Sequence, residues 1–316
     1  MDRAFVLGAG MGNRLRPLTL TLPKPLIPVW QRPLIAFAFA HLRGIGVRRF
    51  VVNTHHLPGK YAEAFPAMAF GECPVAFRHE PVLLETGGGL ANVADLLGED
   101  APFAVYNGDI LTDLPLAPAW RRHLEEQNLA TLILRSRGQV KNVAFDPDAG
   151  RVLDLRNALG TCFPNQVQFT GIYFVSPAFF RRLVPGKIES VVEGFLRAIV
   201  AGEKIGGIVI DEGDWWDLGD RTSYLAAHGQ VCGIPMAHLA GDSGWNDPVH
   251  SSARVASSAQ LDGLSCIGAG AEVGAGAVIR NSLVWPNARV EAGAVLTNCI
   301  VRSGQSAAGC LSGADV

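Results

Sequence analysis

The chain has 316 residues, 48% of them hydrophobic, with 27 Lys and Arg against 29 Asp and Glu and 36 glycines. That apolar content excludes a disordered polymer, the glycines lack collagen's every-third-residue period, and no run approaches the ~18 apolar residues of a membrane span. A net charge of −2 also argues against nucleic acid or an anionic membrane as partner, since both call for a basic surface.

Length predicts about two domains. Residues 5–7 read as an opening strand, 33–42 as a helix with Pro33 in its first turn, 49–53 as a strand and 57–65 as helical. Residues 75–78 form a third strand, 86–97 a helix with Thr86 as N-cap, 102–106 a strand, 120–127 a helix and 130–135 a strand. Strands alternating with short helices predict βαβ units and a mixed, mostly parallel sheet. Beyond Lys141 the pattern turns β-rich, at 143–146, 152–155 and 168–175. Helices follow near 177–183 and 190–201, then a strand at 205–210 and a helix at 223–231. Small, turn-forming residues mark 239–250 as a linker between an α/β domain at 1–238 and a different tail at 251–316.

In that tail aliphatic residues recur every six: Val255, Leu261, Ile267, Val273 and Ile279, with Gly and Ala between. The register slips after Ile279 and resumes near Val290 and Leu296. Such a period predicts a β-helix of short flat rungs, about three coils of three hexads. The six cysteines (73, 162, 232, 266, 299, 310) show no C-x-x-C spacing, so buried free thiols in a reducing, cytoplasmic setting are expected. The N-terminus lacks the apolar core of a signal peptide. His55 and His56 have no third ligand nearby in sequence and read as structural.

The densest chemistry lies between Leu7 and Val29. A strand ends at Leu7, and Gly8, Gly10 and Gly12 follow; such a loop can aim several N–H groups at phosphate oxygens. Arg14 and Lys24 add charge, each contact to a phosphate contributing roughly 1.5–3 kcal/mol. Pro23 and Pro25 pin the backbone around Lys24. The block is neither a dinucleotide fingerprint, since Asn13 replaces the third glycine, nor a Walker A loop, since G-K-[ST] is missing.

As a whole, Gly-Ala-Gly-Met-Gly-Asn-Arg-Leu-Arg-Pro-Leu-Thr-Leu-Thr-Leu-Pro-Lys-Pro-Leu-Ile-Pro-Val resembles the signature of the sugar-1-phosphate nucleotidylyltransferases. Further segments fit in order. Glu80-Pro81 and Leu84-Glu85-Thr86-Gly87-Gly88-Gly89-Leu90 resemble the family's base-binding loop. Asn107-Gly108-Asp109 resembles its metal motif, and Trp215-Trp216-Asp217-Leu218-Gly219 its W-x-D-x-G motif. The tail resembles the left-handed β-helix appended to many members. The resemblance spans about residues 3–231 and implies a Rossmann-like nucleotidyltransferase domain.

It also implies transfer of a nucleotidyl group from an NTP to a sugar 1-phosphate, with pyrophosphate leaving. The attacking phosphate has a second pKa of about 6 and needs no general base. Arg14 would hold the leaving phosphates and Lys24 would bridge the α-phosphate and the incoming phosphate. Asp109 and Asp217 would hold Mg²⁺, which prefers carboxylate and phosphate oxygens. Leu7, Gly8, Ala9, Gly10, Gly12 and Asn13 would line the nucleotide. Glu80, Glu85, Thr86, Gly87 and Gly88 would meet the base, the bare glycine backbone admitting a flat ring. Asn107, Thr170, Gly171 and Arg156 would face the sugar phosphate.

One departure stands out. Many members carry Glu-Lys-Pro shortly before the T-G-I-Y strand; here the matching stretch is Leu155-Arg156-Asn157-Ala158, so Arg156 or Lys141 would have to replace the lysine. Cues to the nucleotide conflict between GTP, as in mannose-1-phosphate guanylyltransferases, and UTP, as in N-acetylmuramate-1-phosphate uridylyltransferases. Two alternatives are a catalytically weak NDP-sugar-binding subunit and a non-sugar substrate such as phosphocholine. The tail is expected to make a homo-oligomer, and its removal to alter assembly more than chemistry.

Overall fold

The computed structural model describes residues 1–164, 166–231 and 244–316. The expected boundary at 238, the linker positions 239–243 and Cys232 lie outside the described residues. By compactness the chain forms two units. One comprises Met1–Met11 and Ile35–Trp215, the other Gly12–Leu34 and Trp216–Val316. The contacts thus group residues 12–34 with the tail, a partition that linear order does not suggest.

The first unit is built on a ten-stranded sheet. Its order is Val143–Asp146, Arg151–Leu155, Ile205–Val209, Ala130–Arg135, Gln166–Val175, Phe103–Asn107, Arg3–Leu7, Arg49–Thr54, Cys73–His79 and Ala69–Phe70. Arg3–Leu7 runs parallel to both neighbours, Phe103–Asn107 and Arg49–Thr54. Gln166–Val175 is antiparallel to the strands on either side, so the sheet is mixed. The central strands are unbroken apolar runs because helices cover them. Phe5, Val105 and Leu132 pack with Leu90, Leu97, Phe195 and Ala198 in one core.

The helices of this unit are α1 (Leu34–Gly44), α2 (Gly59–Ala64), α3 (Glu85–Asn92), α4 (Ala94–Leu97), α5 (Ala117–Glu125) and α6 (Val191–Val200). Several differ from the sequence expectation. The 86–97 helix breaks at Val93, whose φ of −110° leaves the helical range. Thr86 is not its N-cap; its hydroxyl accepts from the Val191 N–H at 2.8 Å instead. α5 starts earlier than expected, placing Pro118 in its first turn. The 177–183 stretch is a 3-10 helix, Pro177–Arg182. Ser190 caps α6 by accepting from the Val192 N–H at 3.3 Å.

The second unit opens with three 3-10 turns, Asn13–Leu15, Leu18–Leu20 and Lys24–Leu26, then the short hairpin of Pro28–Val29 and Arg32–Pro33. α7 (Arg221–Val231) precedes the tail. The tail winds through three parallel sheets, each taking one strand per coil. Its interior holds Ile267, Val273, Ile279, Val284, Val290, Leu296 and Val301. Val255 pairs with Val273, but Val273 pairs with Val290, so the coil shortens from eighteen residues to seventeen. That shortening is the register slip after Ile279. Asn281, in left-handed backbone at φ +43°, makes the tight corner there. Its side-chain amide donates to that of Asn298, one coil on, at 2.6 Å.

The coil packs on the segment that follows Lys24. Gln31 donates to the Ile267 carbonyl at 3.1 Å, Trp285 donates to the Tyr224 hydroxyl at 3.1 Å, and that hydroxyl donates to the Pro28 carbonyl. Arg221 pairs with Asp315 at 2.7 Å. The tail is therefore packed against the segment that follows Lys24 within the second unit.

Among the described cysteines all are free. Cys73, Cys266 and Cys299 are buried as expected, whereas Cys162 and Cys310 are exposed. Among the described residues no helix is long and apolar enough to cross a membrane.

Candidate active site

In the first unit the registry sets the site. Leu7 aligns with Asn53 on one side and Asn107 on the other, so three parallel strands end level. Carboxyl ends of parallel strands are where ligands bind in open sheets. The chain leaves Leu7 through Gly8, Ala9 and Gly10. Gly8 is buried and its two backbone groups are engaged: its N–H donates to Asn53 Oδ1 at 2.8 Å, and its carbonyl accepts from the Tyr61 hydroxyl at 2.7 Å. A Cβ there would lie 2.7 Å from the Asn53 carbonyl. Gly8 is thus fixed by its neighbours, whereas Gly10 is exposed with open space around it.

Asp109 sits in the turn between Phe103–Asn107 and the short strand Ile110–Thr112, half-buried. The Gly108 N–H before it donates to the Leu7 carbonyl at 2.9 Å, and a Cβ on Gly108 would come within 2.5 Å of that oxygen. Asp109 is therefore held at the mouth of the glycine loop. Burial, with Asp109's charge adding to it, pushes the Tyr61 phenol well above its usual range. Asn107 lies against the bulge at Gly171, where φ is +80° and a Cβ would meet the Asn107 amide at 2.6 Å. The Thr170 side chain is buried and donates to the Ile133 carbonyl at 2.8 Å, so it supports the bulge rather than facing a sugar. Arg156 is exposed, in a left-handed turn with Asn157. The buried Asp154 organises that turn by accepting from the Leu159 and Thr161 N–H groups.

The expected base-binding loop is corrected in part. Gly87, Gly88 and Gly89 are buried inside α3. Cβ atoms on Gly87 and Gly88 would fall 2.8 Å from the Ser190 carbonyl and 2.2 Å from that of Lys187. Their N–H groups both donate to the Glu189 carbonyl. On the Cβ side these glycines admit residues 187–190 of the same chain. Glu80 is fully buried as well, accepting from the Asn53 amide at 2.8 Å and the Leu84 N–H at 3.1 Å. Glu85 is exposed, with φ at +61°. A non-glycine residue held there stores strain of the kind found at ligand clamps.

The second unit carries the cations. Gly12 starts it at φ +62°, and the Thr19 hydroxyl donates to its carbonyl at 2.9 Å. The 3-10 turn of Asn13–Leu15 then presents Arg14, and Lys24–Leu26 presents Lys24. Both converge on Asp217: Lys24 Nζ is 3.5 Å from Oδ1 and Arg14 is 3.9 Å from Oδ2. Gly219 makes room for Arg14, since a Cβ there would lie 2.7 Å from the guanidinium. Asp217 stays half-exposed while Lys24 is buried. Asp220 accepts from the Ser223 N–H at 2.8 Å, a bond that holds its carboxyl below the usual range, and Asp211 accepts from Ser136.

Among the described residues no three His, Cys, Asp or Glu side chains form a ligating cluster. Sequence reasoning missed Asn53 and Tyr61. The one available signal was a polar residue closing an apolar strand, at Asn53.

The nucleotidyl transferase family model matches residues 3–233. A mannose-1-phosphate guanylyltransferase of Mycobacterium tuberculosis is 31% identical over 93% of this chain and 82% of its own length. An N-acetylmuramate alpha-1-phosphate uridylyltransferase of Neisseria meningitidis is 34% identical over 67% of this chain and 93% of its own. Among solved structures, UDP-glucose pyrophosphorylase from Acinetobacter baumanii superposes with a TM-score of 0.61 at 18% identity, covering 77% of this chain and 97% of that one. HddC from Yersinia pseudotuberculosis, complexed with GMP-PN, gives 0.60 at 20%, covering 73% and 99%. At those identities the two structures speak for the fold alone. The chain belongs to the nucleotidyl transferase family, as one of its sugar-1-phosphate nucleotidylyltransferases.

Proposed function

We propose that the convergence of Arg14 and Lys24 on Asp217 is the charge centre at which an NTP, GTP or UTP, reacts with a sugar 1-phosphate. An oxygen of the sugar phosphate attacks the α-phosphorus; the bond from that phosphorus to the bridging β-oxygen breaks, and pyrophosphate carries the electron pair away. Positioning and electrostatics suffice for such a step. Arg14, splayed and exposed, holds the departing β- and γ-phosphates. Lys24, fixed between prolines and buried, meets the α-phosphate and the incoming phosphate together. Asp109 and Asp217 are the carboxylates offered to Mg²⁺, which when bound neutralises charge building on the phosphates. Glu85 and the exposed Arg156 are the groups offered to base and sugar phosphate.

The tail is read as a left-handed coil through which two or more copies assemble. Pyrophosphate release across a panel of NTPs and sugar 1-phosphates tests the reaction. Turnover with at least one pair, dependent on magnesium, is expected; no turnover with any pair refutes it. Light scattering tests assembly, and a monomer across micromolar concentrations refutes that part alone.

A further inference from the structure

Gly8 is gripped from both sides, and one of the grips leads elsewhere. Asn53 accepts the Gly8 N–H with Oδ1 and donates through Nδ2 to Glu80 Oε1 at 2.8 Å. Glu80's other oxygen accepts the Leu84 N–H, which opens the 84–89 segment. Asn53, Glu80 and Tyr61 are each 1% exposed or less. The amide's orientation is fixed by this pattern, because an N–H faces one end and a carboxylate the other. The chain of bonds therefore runs from the glycine loop to the loop that carries Glu85. Bonds to a buried carboxylate are worth more than neutral ones, roughly twice as much.

We propose that Asn53 and Glu80 are positioning residues that set the glycine loop and the 84–89 segment in one fixed relation, so that both ends of the NTP find their contacts at once. Neither touches substrate. Breaking the relation weakens the hold on NTP while leaving the sugar phosphate's own contacts alone. The proposal rests on the nucleotidyl-transfer reading above.

The test is a polarity swap. Asn53→Asp sets two carboxylates against each other, and Glu80→Gln turns an amide against the Asn53 amide or the Leu84 N–H. The double variant Asn53→Asp/Glu80→Gln restores every bond in reverse: the carboxylate now at position 53 accepts from the Gly8 N–H and from the new amide at position 80, whose oxygen accepts from Leu84. Full-length proteins are compared for KM of each substrate and for Kd of the NTP with magnesium by calorimetry. Each single change is expected to raise the NTP KM and Kd about tenfold with the sugar-phosphate KM unchanged, and the double to return within about threefold of the parent. A double variant no better than the worse single, or equal losses in both KM values, overturns the proposal. If a single variant does not fold, the double variant alone is compared with the parent: an NTP Kd within about threefold is expected, and a tenfold loss overturns the proposal. A parent that binds NTP without turnover sinks the reaction reading, while the Kd pattern still decides this one.

Discussion

Glycine serves this protein in two ways, one prominent at the strand ends of the first unit and the other at the corners of the coil. At the strand edge of the first, another part of the chain comes too close for a Cβ: 2.7 Å at Gly8, 2.2 Å at Gly88 and 2.5 Å at Gly108. In the coil, Gly276 and Gly293 have open space around them and are glycine because φ is +68° and +72°. The first kind of glycine answers a contact between distant segments; the second answers a corner that recurs along the chain. One region is made by long-range packing that sets a site, the other by local repetition that sets a scaffold. Arg14 and Lys24 belong to the scaffold's unit.

That division orders the expected effects. On the proposed role, Lys24→Ala should cost most, about 10²–10³-fold in kcat/KM, with a smaller change in thermal stability. Pyrophosphate release and a melting curve read both, and a large fall in melting temperature with modest kinetic loss would recast Lys24 as structural. Asp109→Asn should remove metal-dependent turnover with the fold intact; full activity would break the metal assignment. Gly88→Ala should lower stability by about 3 kcal/mol, since its Cβ meets backbone that cannot move aside. Gly276→Ala should cost about 1 kcal/mol, the strain of one left-handed residue. Chemical denaturation compares the two, and equal costs would erase the contrast between crowding and corner.

A further effect concerns pH and touches both units alike. Burial lowers His123 in the first and His228 in the second to about 4, from the ordinary histidine value of 6.5. With the folded pKa depressed, the unfolded chain binds more protons between those values. The stability these histidines confer is complete above pH 6.5 and is lost as pH falls toward 4. Melting temperature should decline across that window, and the slope should shrink in His228→Gln; a slope unchanged by that substitution would assign the effect to other groups.

The same contrast explains what could be read before the fold was known. The six-residue period exposed the coil because each rung repeats locally, and even the slip after Ile279 was visible before its cause, the corner at Asn281. The glycine block and the three motifs pointed to Arg14, Lys24, Asp109 and Asp217 because prolines and glycines cluster around them. Asn53 and Tyr61 were hidden, since their partner Gly8 lies 45 and 53 residues away. Gly87 and Gly88 read as a ligand's approach, yet residues 187–190 press against them, because no local feature of either glycine names that segment. Thr86 read as a cap for the same reason: its hydroxyl serves Val191, far along the chain.

The most direct test is pyrophosphate release with every pairing of the common NTPs and a set of sugar 1-phosphates, run in parallel on the parent chain and on Lys24→Ala. The account predicts magnesium-dependent release with at least one pair in the parent and its near-complete loss in the variant. Release by the variant at the parent's rate, or none from the parent with any pair, would contradict it.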